Sequence, residues 1–237
     1  MLNELANSNL NNLKQNAYPG RGIIIGKTPD DKCLVQVYWI MGRSANSRNR
    51  VFVNENGNVK TKLFDESKAT DPSLIIYYPV RFHNNIHIVS NGNQTDTVYE
   101  FMKSGKSFED ALLTREYEPD EPNFTPRITG ITEVGGKCSY KLSILKAQNP
   151  GYCVRNFFHY EKAIPGFGHC LHTYSQDGNP LPSFSGEPYL LSIPGDMDET
   201  ADMFWSALNE ENRISLLVKY IDAGSGEVSI KIINKFK

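Results

Sequence analysis

Apolar positions along the chain follow two periods. In the first 17 residues Leu2, Leu5, Leu10, Leu13 and Ala17 recur near a 3.6-residue spacing among Asn, Gln and Lys, which predicts a short amphipathic helix acting as a docking helix or an arm. From Gly22 the pattern changes to short β-branched runs. GIIIG and residues 33–41 (CLVQVYWIM) predict two strands, and Thr28-Pro29-Asp30-Asp31 carries the turn residues that join them as a hairpin. Residues 51–64 (VFVNENGNVKTKLF) repeat the pattern around Asn56-Gly57, the strongest short-range hairpin signal in the chain. Residues 74–78 and 86–90 predict two further strands.

Helical signals then take over. Residues 93–103 predict a helix that starts near Thr95 or Asp96 and closes before Gly105. Ser107 opens a second one, because its hydroxyl can accept from the amide three residues on and Glu109 and Asp110 favour the positive helix start. Residues 118–126 (EPDEPNFTP) hold three prolines in nine positions, so they form an irregular loop. Strands resume at 127–133, turn at Gly135-Gly136, and continue at 138–146, 152–159 and 168–174. Residues 198–208 predict a third helix with Ala201, Phe204, Trp205 and Leu208 on one face, and strands 214–222 and 228–234 follow, joined by AGSGE. The chain shows no repeat, low-complexity tract or linker. Strands, two helices, strands, one helix and strands, with hairpin-sized connections, read as an α+β fold whose helices cover faces of antiparallel sheets. A doubly wound parallel sheet would alternate strand and helix regularly, and this chain does not.

Composition narrows the class. At 237 residues, 39% hydrophobic and 11% aromatic, the chain suits one large domain with a sizeable core. No segment approaches the ~20 apolar residues of a membrane span. The first residues lack the charged start and apolar centre of a signal peptide, so a soluble, cytoplasmic protein is expected. Cys33, Cys138, Cys153 and Cys170 include no CxxC pair, which suits free thiols in a reducing compartment. A formal charge of −2 argues against a general nucleic-acid binder, whose footprint is strongly basic.

Candidate chemistry begins with a decoy. Residues 20–28 (GRGIIIGKT) end like a P-loop, but five residues lie between Gly20 and Gly26 and three between Gly22 and Gly26, where a P-loop has four, and a turn rather than a helix follows. Residues 42–50 (GRSANSRNR) differ. Arg43, Arg48 and Arg50, two serines and two asparagines follow an apolar strand with no acid among them, which is what a phosphate dianion needs. The competing reading is a solvated basic loop. Arg21, on the neighbouring strand, can join this phosphate-binding edge. His169 and His172 are three apart in a strand and face opposite sides, His83 and His87 straddle a turn, and no HExxH spacing appears, so no metal is expected. No GxSxG elbow or triad is present, and Cys33 reads as a buried strand thiol more readily than as a nucleophile. Residues 90–96 (SNGNQTD) lead from a strand into a helix and can meet an anion or heterocycle, or merely cap the connection. Tyr117-Glu118 and Thr125-Pro126-Arg127 flank the proline-rich loop, a rigid place for an acid/base group. GEP at 186–188 is another proline-fixed acidic turn.

Tyr18-Pro19-Gly20-Arg21-Gly22 with Ile25-Gly26-Lys27, the cluster from Arg43 to Arg50, SNGNQTD and YEPDEPNFTPRI occur in the order and spacing of the archaeal-type IMP cyclohydrolase family. The chain resembles that family from Tyr18 to about Ala147 and more weakly through GEP, the third helix and the closing strands. The resemblance implies a four-layer αββα sandwich like that of N-terminal-nucleophile hydrolases, without their self-processed nucleophile. It implies closure of the purine ring, converting 5-formamidoimidazole-4-carboxamide ribotide to IMP with loss of water. It implies a single domain over residues 18–237, preceded by an N-terminal extension of residues 1–17.

Carried over by position, the resemblance puts Arg21, Asn49, Arg50, Tyr77 (or Tyr78, if the match slips by one), the turn with Asn91 and Gly92, and Glu118 in the site. Glu118 would orient or deprotonate the carboxamide and Tyr77 would polarise and protonate the formyl oxygen. Arg50 with Arg21 would stabilise developing negative charge, and Arg43 and Arg48 would hold the ribotide phosphate, roles that can be exchanged among the four. A ribonucleotide substrate is implied, with no cofactor, no nucleic acid and no membrane partner; association into a homo-oligomer stays open. The extension and residues 148–182, with GFGHCLHTY and DGNPLPSF, depart from the compact archaeal pattern. They leave two alternatives, a related cyclohydrolase or amidohydrolase acting on another ribotide and a non-catalytic nucleotide-binding protein.

Overall fold

The computed structural model describes residues 1–68, 75–137, 139–149 and 151–236. Helix α1 (Leu2–Gln15) is followed by the hairpin of β1 (Gly22–Lys27) and β2 (Cys33–Met41). Its turn is closed by the Thr28 hydroxyl, which donates to Asp30 at 2.7 Å and accepts from the Cys33 amide at 3.0 Å. A one-turn helix α2 (Ala45–Arg48), capped by the Ser44 hydroxyl, leads into the hairpin β3 (Arg50–Glu55) and β4 (Asn58–Leu63). Asn56 and Gly57 take φ of 54° and 85° there, the left-handed pair that a two-residue hairpin needs. Next come β5 (Val80–His83), β6 (Ile86–Ser90), α3 (Gln94–Lys103), α4 (Phe108–Leu113), β7 (Arg127–Glu133), β8 (Tyr140–Asn149) and β9 (Tyr152–Tyr160). The chain ends with β10 (Phe167–His172), β11 (Tyr189–Ser192), α5 (Met197–Ala207), β12 (Arg213–Asp222) and β13 (Val228–Asn234).

The fold is α+β with two antiparallel sheets. One has six strands in the order β11-β10-β1-β2-β12-β13, the other seven in the order β3-β4-β5-β6-β7-β8-β9. Side-chain alternation divides the interior. Ile24, Val35, Val37, Trp39, Leu216 and Val218 face α1 and α5, where they meet Leu13, Ala201 and Phe204. Their neighbours Ile23, Ile25, Tyr38, Ile40 and Leu217 face the second sheet and pack on Val59, Val80, Val89, Ile128 and Leu142. Ile88, Ile131 and Leu145, on the far face of the second sheet, pack under Val98, Phe108 and Leu112 of α3 and α4. Because β1 and β2 are covered on both faces, they read as unbroken apolar runs, and each aliphatic side chain buried there contributes roughly 1.5–3 kcal/mol. No helix among the described residues is long and apolar enough to cross a membrane.

Most expected elements form, including the capping box at Ser107 and Asp110. Helix α1 docks through Ala6 and Leu13, and Asn9 Nδ2 donates to the Leu190 carbonyl at 2.8 Å, whereas Leu2 and Leu5 stay exposed. The strand expected at 74–78 is corrected. Leu74 lies outside the described residues, and residues 75–78 form an irregular segment. Its polar backbone is satisfied by a side chain: Thr61 Oγ1 donates to the Ile75 carbonyl at 2.7 Å and accepts from the Tyr77 amide at 2.9 Å. The run is apolar because Ile75 and Tyr77 are buried, not because it joins a ladder as a strand. Strands β5 and β11, each four residues, and α2 were not expected; so short a segment carries too few alternations to register. The strand expected at 138–146 begins at Tyr140, and Cys138 lies outside the described residues.

Candidate active site

Local chemistry brings five segments together at one end of the layer between the sheets. Gly20 takes a φ of 76°, and a Cβ there would run into the Thr173 hydroxyl and the Tyr174 ring, so glycine lets the chain enter β1 against β10. Arg21 is then pinned by its backbone: its amide donates to Thr173 Oγ1 at 3.1 Å and its carbonyl accepts from the Thr173 amide at 2.9 Å. At the start of β3, Arg50 is fully buried and its Nε donates to the Ser47 carbonyl at 2.8 Å. Its Nη1 and Nη2, and Arg21 Nε, are buried with no hydrogen-bond partner among the described residues. Tyr77, held by Thr61, places its hydroxyl 2.7 Å from that of Tyr38 on β2.

The proline-rich loop supplies the acid. Glu118 is buried, its amide donates to the Thr125 carbonyl at 2.9 Å, and its Oε1 lies 3.8 Å from Arg127 Nη1. A chain of amides anchors this pair. Arg127 Nη1 donates to Gln94 Oε1 at 2.8 Å, Gln94 Nε2 to Asn91 Oδ1 at 2.9 Å, and Asn91 Nδ2 to the Pro126 carbonyl at 2.8 Å. Gly92 is required by close approach: a Cβ would lie 2.6 Å from Gln94 Oε1, 2.7 Å from Arg127 Nη1 and 3.2 Å from Glu118 Oε1. In the same loop the Thr125 hydroxyl donates to the Asp120 carboxylate and shares a hydrogen bond with the hydroxyl of Tyr174, whose ring stacks on Tyr18 at 6.0 Å.

These groups set one another's ionisation. Burial raises Glu118 above the usual carboxylate range, against the opposing pull of Arg21 and Arg127. Burial also raises Tyr77, while Arg50, Arg21 and the hydrogen bond from Tyr38 pull it back. Burial and the charge of Arg21 lower Arg50. For Arg21, burial is outweighed by Glu118 and the surrounding tyrosines, so its pKa rises. The result is two guanidinium groups, one carboxyl group and a tyrosine pair in mutual electrostatic range, with cationic N–H groups left open. Such a set can bind an anionic or strongly polar ligand, give a proton from tyrosine and take one at the carboxylate.

A family model described as IMP cyclohydrolase-like protein matches residues 18–226. The chain belongs to that family. Proteins named IMP cyclohydrolase share stretches of it. That of Methanopyrus kandleri is 33% identical over 120 residues, covering 49% of this chain and 59% of the relative. That of Methanococcus aeolicus is 32% identical over 118 residues, covering 48% and 57%. That of Methanosphaera stadtmanae is 31% identical over 124 residues, covering 51% and 60%. The chain thus spans just under three fifths of the length of the first two.

Seen from the family's motifs, the structure brings Arg21, Arg50, Tyr77 and Glu118 into one cluster with Gly92 as its close-packed wall. Arg43 and Arg48 sit apart. Arg43 is 39% exposed, pairs through Nη1 with Asp177 at 2.6 Å and with the Gly178 carbonyl at 3.1 Å, and lies over the Tyr18 ring. A carboxylate distant in sequence therefore neutralises an edge that looks acid-free locally. Arg48 bonds the Gly42 carbonyl through Nε and Asn212 Oδ1 through Nη2. Asn49 is committed to backbone, donating to the Asp65 carbonyl and accepting from the Asp65 amide, both at 2.8 Å, and Asn91, besides its bonds to Gln94 and the Pro126 carbonyl, accepts from the Ile128 amide at 2.8 Å. Both therefore hold segments in place. Tyr38, Gln94 and Tyr174 were missed because each looks like ordinary strand or helix sequence. An open pocket of about 680 Å³ lies beside α1, lined by Leu13, His172, Phe184 and Tyr189, and shares only Asp177 with the site's edge. Cys33 is half-buried and burial raises its thiol, as suits a strand thiol.

Proposed function

We propose that this chain is an IMP cyclohydrolase that closes 5-formamidoimidazole-4-carboxamide ribotide to IMP with loss of water. Its family membership supports this reading. The observation that carries it is Arg50, buried with two open guanidinium nitrogens beside Tyr77 and Glu118. We read the packing of helices, two facing sheets and helices as a four-layer αββα sandwich of the N-terminal-nucleophile hydrolase type, formed by one domain over residues 18–237 with α1 as its extension. A soluble, cytoplasmic enzyme with a small-molecule substrate fits this reading.

The reaction joins the carboxamide nitrogen to the formyl carbon of the same molecule, so holding the two groups face to face removes much of the barrier. The carboxamide nitrogen is a weak nucleophile until a proton leaves it. Glu118 takes that proton as the C–N bond forms, and Tyr77 gives its proton to the formyl oxygen, leaving a ring carbinol. Arg50 and Arg21 face the negative charge that develops on the carboxamide and tyrosine oxygens. The carbinol hydroxyl then takes a proton from Glu118 and departs as water. Tyr77 recovers its proton from the former formamido nitrogen as the ring double bond forms. Two substrate protons and the formyl oxygen leave together, both residues return to their starting states, and no electron is transferred.

Arg43, at the solvent edge, is assigned to the ribotide phosphate together with Arg48; a phosphate dianion would displace Asp177 from Arg43. Incubating the purified chain with the formamido ribotide and following the absorbance change of ring closure tests the proposal. Turnover is expected. Turnover of other ribotides alone would favour the related activity that the extra segments suggest, and binding without turnover would favour a nucleotide-binding protein.

A further inference from the structure

The cluster holds a second tyrosine. Tyr38 lies on β2, the strand flanked by β1 and β12, opposite Ile23 and Leu217, with its ring tilted against Phe52 at 5.6 Å. It is fully buried, with Ile23, Ile40 and Leu217 around it on the inward face and the polar pair Gln36 and Lys219 one inward position further along. A phenylalanine would fill this place as well, and a buried hydroxyl needs a partner. Among the described residues the Tyr38 hydroxyl has one, the Tyr77 hydroxyl at 2.7 Å. Tyr77 is fixed from the other end, its amide and carbonyl both bonded to Thr61. The separation of the two oxygens is therefore set by a central strand on one side and a backbone clip on the other.

We propose that Tyr38 is a positioning residue: it donates its proton to Tyr77 Oη, which turns the Tyr77 proton toward the reacting oxygen and steadies the phenolate left behind. This rests on Tyr77 acting as the proton donor in the reading above. Either oxygen can donate at 2.7 Å, and Tyr38 is the donor proposed. Arg50 and Arg21 act on both hydroxyls, but on Tyr77 they come directly after burial and the bond to Tyr38 favours its ionised form, whereas on Tyr38 they come after burial and Tyr77, so Tyr77 is the oxygen that gains more from accepting. Tyr38 is held well above the ordinary tyrosine range, first by burial and then by Tyr77, so it keeps its proton throughout. The pair divides the work: Tyr77 loses and regains a proton while Tyr38 supplies a fixed donor that needs no reorientation during the reaction.

Tyr38→Phe removes the donor and leaves the ring. It is expected to lower kcat roughly 10–100-fold with KM within about twofold, less than the loss of a donor aimed at the reacting oxygen itself, because Tyr38 acts through Tyr77. The alkaline limb of the kcat profile, which reports Tyr77 losing its proton, should move to higher pH. Replacing Tyr38 by 3-fluorotyrosine, a stronger donor of nearly the same shape, should move that limb to lower pH. Tyr77→Phe is the reference. If it retains full turnover, Tyr77 is not the acid, and both readings fall. If it is inactive while the Tyr38→Phe and fluorotyrosine profiles coincide with that of the parent chain, this proposal alone is overturned. An NMR titration of the Tyr77 ring carbon bearing oxygen, in the parent chain and in Tyr38→Phe, reads the same shift without substrate. An unchanged Tyr77 titration would also overturn the proposal.

Discussion

Among the described residues two cations are buried completely between the sheets, and the protein treats them differently. Arg50 lies among Arg21, Tyr38 and Tyr77. Lys219, on β12, is paired with Gln36, one inward-facing position along β2 from Tyr38. Around Lys219 stand Phe82, whose ring is 5.3 Å from Nζ, and His87, both of whose ring nitrogens lack a partner among the described residues. Burial takes Lys219 down to about 7, and burial followed by the Lys219 charge takes His87 down to about 3. In that region burial makes both groups easier to discharge. Arginine cannot discharge at any working pH. Arg50 therefore keeps its charge; Tyr77 and Glu118 act on it only through charge, and its open Nη1 and Nη2 are the atoms that the proposed substrate would meet. Burial of a cation does not by itself mark a site; a cation that must stay charged beside groups able to exchange protons does.

The largest effect should come from the acid side of that contrast. Glu118→Gln keeps the shape and removes the base, so turnover should fall by about 10²–10⁴ with binding largely kept. In the parent chain kcat should rise with pH through a value above the usual carboxylate range, because the base must be ionised and burial raises its pKa. An acid limb at an ordinary carboxylate value would blunt the comparison. Next comes Arg50→Lys, which tests whether the permanent planar cation matters. A lysine there can discharge as Lys219 does, and kcat should drop by about 10²–10³. Arg43→Ala should be milder, raising KM about tenfold with kcat unchanged, since one charge-assisted bond at an exposed edge is lost.

Lys219→Met should affect activity least, leaving turnover within about twofold, and it sharpens the comparison through stability. With a folded pKa of about 7 and an unfolded one near 10.4, the unfolded chain binds the extra proton between those values, so stability rises as pH increases across that window. Below it the buried amine costs on the order of 5 kcal/mol. Thermal unfolding followed from pH 7 to about 10 should show that rise in the parent chain and lose it in Lys219→Met. Equal slopes would mean that Lys219 stays charged.

The legible parts of this protein were those written in local chemistry. The Asn56-Gly57 hairpin, the Ser107 cap and the three-proline loop each state their geometry in a few neighbouring residues, and each is found. Arg50 was singled out by the charge of its segment and Glu118 by its place beside the proline-rich loop, and the family motifs then gave each its expected role. The arginine segment was half legible. Its basic character was plain, but Asp177 meets Arg43 from 134 residues away, and only Arg50 of the three turns inward. Tyr38 was not legible, because in CLVQVYWIM one tyrosine among buried strand residues carries no mark of its hydroxyl's partner. The apolar run before Pro79 misled for the opposite reason: Ile75 and Tyr77 are buried without belonging to a strand.

The account rests on ring closure driven by the proton of Tyr77. It is tested most directly by mixing the purified chain, and separately its Tyr77→Phe variant, with 5-formamidoimidazole-4-carboxamide ribotide and recording absorbance alongside substrate binding. The expected result is rapid formation of IMP by the parent chain, with turnover by the variant lower by orders of magnitude at nearly unchanged affinity. Binding without closure by the parent chain, or full turnover by the variant, would contradict it.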